Sequence, residues 1–213
     1  TGRELLGFYA GLKDVAAVQL DHLLSQVGLD HASDRRVGAY SKGMRQRLGM
    51  AQALLGDPEL VLLDEPTSGL DPNSRLQVYQ TIDALRARGK SILVSTHALA
   101  EIEAHADKVV LIHEGRVLAA GTLKDLRDGA SLPTEVRLTV SDGWEADSLT
   151  APGAGIRLDR KGGKVTATVP QGGMPAFLDM LAEKRAAVGD LEIAPPTLDR
   201  LYQHLLARAG STR

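Results

Sequence analysis

The sequence predicts an α/β core followed by a small α+β domain, and three observations carry that reading. An unbroken aliphatic run, Leu60-Val61-Leu62-Leu63, ends at Asp64-Glu65-Pro66. A helix-period stretch and then a β-branched run, Ser91 to Ser95, follow it as a β-α-β step. Past Gly129 to Pro133, which reads as a linker, the pattern changes to alternating strands and short helices.

Apolar residues recur at three and four from Arg3 to Leu12 and from Val15 to Val27, which predicts two amphipathic helices with Gly28 as a stop. A polar stretch, Asp30 to Tyr40, leads into Ser41 and a helix over Met44 to Leu55, closed by Gly56-Asp57-Pro58. The run Leu60 to Leu63 suits a central parallel strand covered on both faces. After Asp71-Pro72, a helix (Ser74 to Arg88), the Gly89 turn and the strand Ser91 to Ser95 complete the step. A helix over Leu99 to His105, a strand over Lys108 to His113, a Glu114-Gly115 turn and a strand to Ala120 follow, and Thr122 caps a helix over Leu123 to Arg127. Beyond the linker, strands are expected at Glu135 to Val140 and Leu191 to Ile193, a hairpin at Ile156 to Val169, and helices at Met174 to Ala187 and Thr197 to Ala209. Residues 1–56 are expected to form a helical subdomain, 57–130 an α/β core and 134–213 a separate regulatory or dimer-forming domain.

Composition excludes several function classes. With 213 residues, 43% hydrophobic and 24% charged, a globular core is expected. The net charge of -2, from 25 basic and 27 acidic residues without long single-sign runs, disfavours nucleic acid as a partner. No cysteine is present, which removes disulfides and thiolate metal sites and fits a reducing cytoplasm. No apolar stretch approaches the roughly 20 residues that cross a bilayer. The chain starts at Thr1 with no basic-then-apolar leader, so neither a signal peptide nor a complete N-terminus is expected.

Two adjacent carboxylates at the mouth of an aliphatic strand have little structural purpose. Asp64 suits Mg²⁺, through water, and Glu65 suits polarising a water that attacks a phosphate. The alternative is an ordinary strand-to-loop exit. Upstream, Ser41, the Gly43 N–H and the positive helix end can cradle a phosphate, or Ser41 can be a plain N-cap. Downstream stand Ser68-Gly69-Leu70-Asp71 and then Ser95-Thr96-His97, whose histidine can hydrogen-bond a phosphate and its attacking water, or can simply be exposed at a helix start.

The series Tyr40-Ser41-Lys42-Gly43-Met44-Arg45-Gln46, Leu62-Leu63-Asp64-Glu65-Pro66-Thr67, Ser68-Gly69-Leu70-Asp71 and Ser95-Thr96-His97 resembles the signature motif, Walker B motif, D-loop and switch histidine of ABC transporter ATPases. The likeness covers residues 1–127. It implies a P-loop NTPase-like ABC ATPase core, ATP and Mg²⁺ as nucleotide and metal, and a nucleotide-sandwich dimer with a second copy. It also implies an integral-membrane permease partner and a cytoplasmic place at the inner face of the cell membrane. Residue by residue, it implies that Ser41 and Gly43 meet the γ-phosphate of ATP bound by the opposite copy. Asp64 then serves magnesium, Glu65 is the catalytic base, Asp71 makes a dimer contact and His97 meets the γ-phosphate. Lys42 and Met44 depart from the usual Leu-Ser-Gly-Gly-Gln, which leaves a role at position 44 open.

A phosphate-binding loop, Gly-x4-Gly-Lys-Ser/Thr, does not occur in these 213 residues. The Gly89-Lys90-Ser91 match has Ala84 where the first glycine belongs, and its order is helix into strand. The core is therefore expected to lack its N-terminal part, to bind ATP very weakly alone and to be inactive without the rest.

Within the family, Leu24 to Leu55 and the closing Pro196-Thr197-Leu198-Asp199-Arg200-Leu201-Tyr202 look like the ATPase of the copper-processing transporter serving nitrous-oxide reductase maturation. That likeness implies a periplasmic partner; the alternative is the ATPase of a two-component multidrug-type exporter. Copper ligation by this chain itself is not expected. His22, His31, His97, His105, His113 and His204 are scattered, and Met174 and Met180 stand without a thiolate. From other classes, a translation or DNA-repair ABC ATPase would bring a second cassette, coiled coil or basic surface, and a non-catalytic dimerisation or regulatory fragment would owe its role to residues 134–213.

Overall fold

A capping box starts the first helix, α1 (Gly2–Leu12): Thr1 Oγ1 accepts from Glu4 N at 3.2 Å, and the Glu4 side chain returns the bond. The computed structural model describes residues 1–16, 19–141, 155–183 and 188–210, which divide into two units, Thr1–Ala98 and Leu99–Arg213.

In the first unit, α1 is followed by α2 (Gln19–Gln26) and α3 (Lys42–Ala53). The intervening polar stretch carries two short 3-10 turns, Asp30–Ala32 and Val37–Ala39. Leu6 and Ala10 of α1, Leu20, Leu23 and Leu24 of α2, and Leu48 and Ala51 of α3 are buried, the result of apolar residues spaced by three and four. The buried Tyr40 hydroxyl donates to Ala32 O at 2.6 Å, tying the entry of α3 to the first 3-10 turn.

Then come β1 (Leu60–Asp64), α4 (Pro72–Ala87) and β2 (Ser91–Ser95), a β-α-β step in which β1 and β2 pair in parallel from Leu60↔Ser91 to Asp64↔Ser95. Val61 and Leu63 are buried, as are Val78, Ile82 and Leu85 on one face of α4. The described residues cover β1, expected to be covered on both faces, on one face only. Leu60, Leu62 and Leu93 are 55%, 65% and 64% exposed. Among the described residues β1 pairs with β2 alone, and alternate side chains of a strand leave on opposite faces, so one face of the pair is uncovered.

The second unit runs α5 (Leu99–Ile102), β3 (Val109–His113), β4 (Arg116–Gly121), α6 (Leu123–Ala130), β5 (Thr134–Val140), β6 (Arg157–Lys161), β7 (Lys164–Val169), α7 (Met174–Glu183), β8 (Val188–Ala194) and α8 (Leu198–Gly210). Thr122 caps α6 in a second capping box. The antiparallel sheet β6-β7-β5-β8 buries Val136, Leu138, Val165 and Ala167 under Phe177 and Leu181 of α7. A second core joins Val109 and Leu111 of β3 to Leu126 and Ala130 of α6 and to Leu198 and Leu201 of α8. Residues on both sides of Gly129–Pro133 therefore share one core. Residues 17–18 and 184–187 of the expected helices, and residues 142–154 between the strand expected at Glu135 to Val140 and the hairpin expected at Ile156 to Val169, lie outside the described residues. No described helix is long and apolar enough to cross a membrane.

Phe177→Ala empties the centre of the α7 packing, and urea titration should show the unit containing it destabilised by about 3–5 kcal/mol.

Candidate functional site

Two clusters of chain ends carry the polar residues singled out above. The first forms where β1 and β2 finish level. The Ser95 hydroxyl donates to Asp64 Oδ1 and accepts from Glu65 N at 3.1 Å, while Ser95 O accepts from the same N–H at 3.1 Å. Held this way, Glu65 adopts φ 45°, a left-handed backbone that a non-glycine residue keeps only where its surroundings over-determine it. His97 Nδ1 lies 2.8 Å from Glu65 Oε1. The imidazole is 78% exposed and the glutamate 37%, so the pair sits at the surface, open to a ligand. Asp64, Glu65 and His97 are thus brought together. Ser95 is the residue whose function was missed; its signal was a hydroxyl two positions before the histidine on the paired strand.

The second cluster forms at the start of α3. Ser41 caps it, with Oγ accepting from Met44 N at 3.1 Å, so its hydroxyl performs the ordinary capping task in this structure. Gly43, in the first turn, packs against Ser74 of α4 so closely that a Cβ would stand 2.7 Å from Ser74 Cβ. Lys42 Nζ lies over Gly69, whose φ is +64°, within the Ser68–Asp71 turn. Asp71 caps α4: Oδ1 accepts from Ser74 N at 3.0 Å and Oδ2 from Ser74 Oγ at 2.6 Å. The Ser74 hydroxyl, followed by its backbone N–H, holds the Asp71 carboxyl below the usual aspartate range.

Arg47, one turn further along α3, is 6% exposed, and its Nη1 donates to Val27 O at 3.0 Å and Gly28 O at 2.9 Å. Its Nε is buried without a partner among the described residues. Burial pushes its pKa down, and the charge of Asp71 opposes that. The Gly89-Lys90-Ser91 stretch lies at the turn from α4 into β2, where Lys90 Nζ pairs with Asp57 Oδ1 at 2.8 Å, committed to structure.

A sequence profile described as ABC transporter matches residues 4–68. Over 211 residues the chain is 30% identical to the daunorubicin resistance ATP-binding protein DrrA3 of Streptomyces coeruleorubidus, covering 96% of this chain and 67% of that protein. The chain belongs to the ATP-binding subunits of ABC transporters. It is also 44% identical over 132 residues to an uncharacterized ABC transporter ATP-binding protein of Nostoc sp., covering 59% of this chain and 39% of the relative. A solved structure titled as the ATP binding subunit of an ABC transporter superposes with a TM-score of 0.53 at 34% identity, covering 61% of this chain and 55% of that one. The chain thus spans 39% to 67% of the lengths of these two curated relatives, and its strand pair with flanking helices has the α/β fold of the ABC cassette.

The lowered Asp71 pKa fixes the sign of a pH effect. Its contribution is fully present above the unfolded value, near 3.9, and is lost as pH falls through the lower folded value. The midpoint difference between the wild type and Asp71→Asn should therefore be constant above about pH 5 and close below about pH 4, read from thermal unfolding across pH.

Proposed function

We propose that the subunit to which this chain belongs hydrolyses ATP to drive a separate membrane permease of the export type. The observation that carries the reading is the Glu65–His97 pair at 2.8 Å beside Asp64, at the common end of two parallel strands. Glu65 Oε1 faces the imidazole, which leaves Oε2 to take the proton of an attacking water. His97 Nδ1 is engaged with Glu65, which leaves Nε2 as the ring atom to meet a terminal phosphate oxygen.

Mg²⁺ fits this set. Asp64 offers a hard carboxylate with Oδ1 occupied by Ser95 and Oδ2 left over, and the described residues contain no cluster of three or more His, Cys, Asp or Glu able to cage a metal. That suits an ion bound through one carboxylate, water and substrate phosphates. An ion held by Asp64 would supply positive charge to the phosphate oxygens. Ser41 and Gly43, at the positive end of α3, would meet the terminal phosphate of ATP presented by a second copy. Asp71 would act at that dimer contact from the rim, with its carboxylate already engaged by Ser74.

The Streptomyces relative is named for drug resistance, which supports the exporter alternative over the copper-processing branch, to which none of these relatives points. The permease, the second copy and a place at the inner membrane face belong to this reading, as does a regulatory or dimer-forming role for residues 134–213.

In the full-length subunit assembled with its permease, Glu65→Gln should lower ATP turnover by about 10²- to 10⁴-fold while leaving nucleotide affinity unchanged. Turnover within twofold of wild type would remove Glu65 as the base. The 213 residues alone hold groups for the terminal phosphate and water but no Gly-x4-Gly-Lys-Ser/Thr loop, so calorimetry should find only weak ATP binding. A micromolar dissociation constant for this chain would overturn that.

A further inference from the structure

Ser74 belongs to none of the motifs above, yet it touches two of them. Its backbone N–H and its hydroxyl take both oxygens of the Asp71 carboxylate, at 3.0 Å and 2.6 Å. Its Cβ fills the space beside Gly43, 2.7 Å from where a side chain there would begin, and its Oγ is closer still. Alanine ordinarily favours a helix over glycine, and Gly43 lies inside the first turn of α3 with no left-handed backbone to require it. Neither atom of Ser74 can yield easily. Cβ is fixed to the backbone of α4, and turning Oγ away breaks its bond to Asp71.

We propose that Ser74 is a positioning residue that locks the Ser41–Gly43 turn to the Ser68–Asp71 turn, so that the two phosphate-side loops of one copy move as a single body. Gly43 is glycine because Ser74 occupies the place of its side chain. This rests on the reading above, in which the start of α3 approaches a terminal phosphate, and adds the residue that fixes where that start sits. If glycine served only to let the backbone near the phosphate, the identity of residue 74 would not matter to a substitution at 43.

The test is a compensating pair. Thermal unfolding is followed on the chain itself, and ATP turnover on the full-length subunit with its permease, for Gly43→Ala, Ser74→Gly, Ser74→Ala and the two double variants. Gly43→Ala should lower the midpoint by about 4 °C or more and turnover by about ten- to a hundredfold. Combining it with Ser74→Gly should restore both to the level of Ser74→Gly alone, whereas combining it with Ser74→Ala should not, because Cβ remains. A Gly43→Ala midpoint equal to wild type, or a Gly43→Ala/Ser74→Gly variant no better than Gly43→Ala, overturns the proposal. Turnover indifferent to Glu65→Gln and Ser41→Ala overturns the reading of the site instead, while the midpoints still decide the packing of Gly43 on Ser74.

Discussion

Two parallel strands that end level deliver their next residues to the same edge, and an antiparallel pair would send them to opposite ends. The register Asp64↔Ser95 therefore sets the whole first cluster: Glu65 leaves β1 and His97 leaves β2 within reach of each other. Ser95 makes the junction rigid by using its hydroxyl as donor to Asp64 and as acceptor from Glu65. The left-handed backbone at Glu65 costs on the order of 1–3 kcal/mol. Two acceptors converging on one N–H, both from residue 95, offset that cost and fix the direction of the carboxylate.

The second cluster depends on a different device, a charge placed inside the helical layer. Among the described residues no carboxylate is recorded in a hydrogen bond or ion pair with Arg47, yet its guanidinium is buried, an arrangement that costs heavily unless other groups answer it. The carbonyls of Val27 and Gly28 do so at the close of α2, where helix carbonyls lack partners and carry partial negative charge. Asp71 adds a favourable field. The middle of α3 is thereby pinned to α2, and its start rests on α4 through Ser74, so the Ser41–Gly43 turn is held from two sides.

Much of the site was legible because its geometry is local. Ser41 and Asp71 each cap a helix whose first turn follows immediately, and Asp64 and Glu65 end a strand marked by four aliphatic residues in succession. The β-α-β step was legible for the same reason, with Gly89 closing α4 before β2. What failed to show depends on distance along the chain. Gly43 and Ser74 are unremarkable apart and informative only when packed together. Leu198 and Leu201 read as one face of a last helix, and nothing local says that this face joins Val109, Leu111 and Leu126. An aliphatic run records that a strand seeks apolar surroundings, not which element supplies them.

That open face bears on the chemistry. Burying a leucine side chain is worth about 1.5–3 kcal/mol, so a surface that covered these three leucines, each more than half exposed among the described residues, would contribute on the order of 3–5 kcal/mol. The face belongs to the strands that carry the site, since Leu60, Leu62 and Asp64 alternate with Val61 and Leu63 along β1, and Leu93 lies opposite Leu62 on β2. Any surface that covers this face strengthens the pairing that aligns Asp64 with Ser95, and through it the hold on Glu65. Stability of the strand pair and placement of the Glu65 carboxylate are thereby coupled.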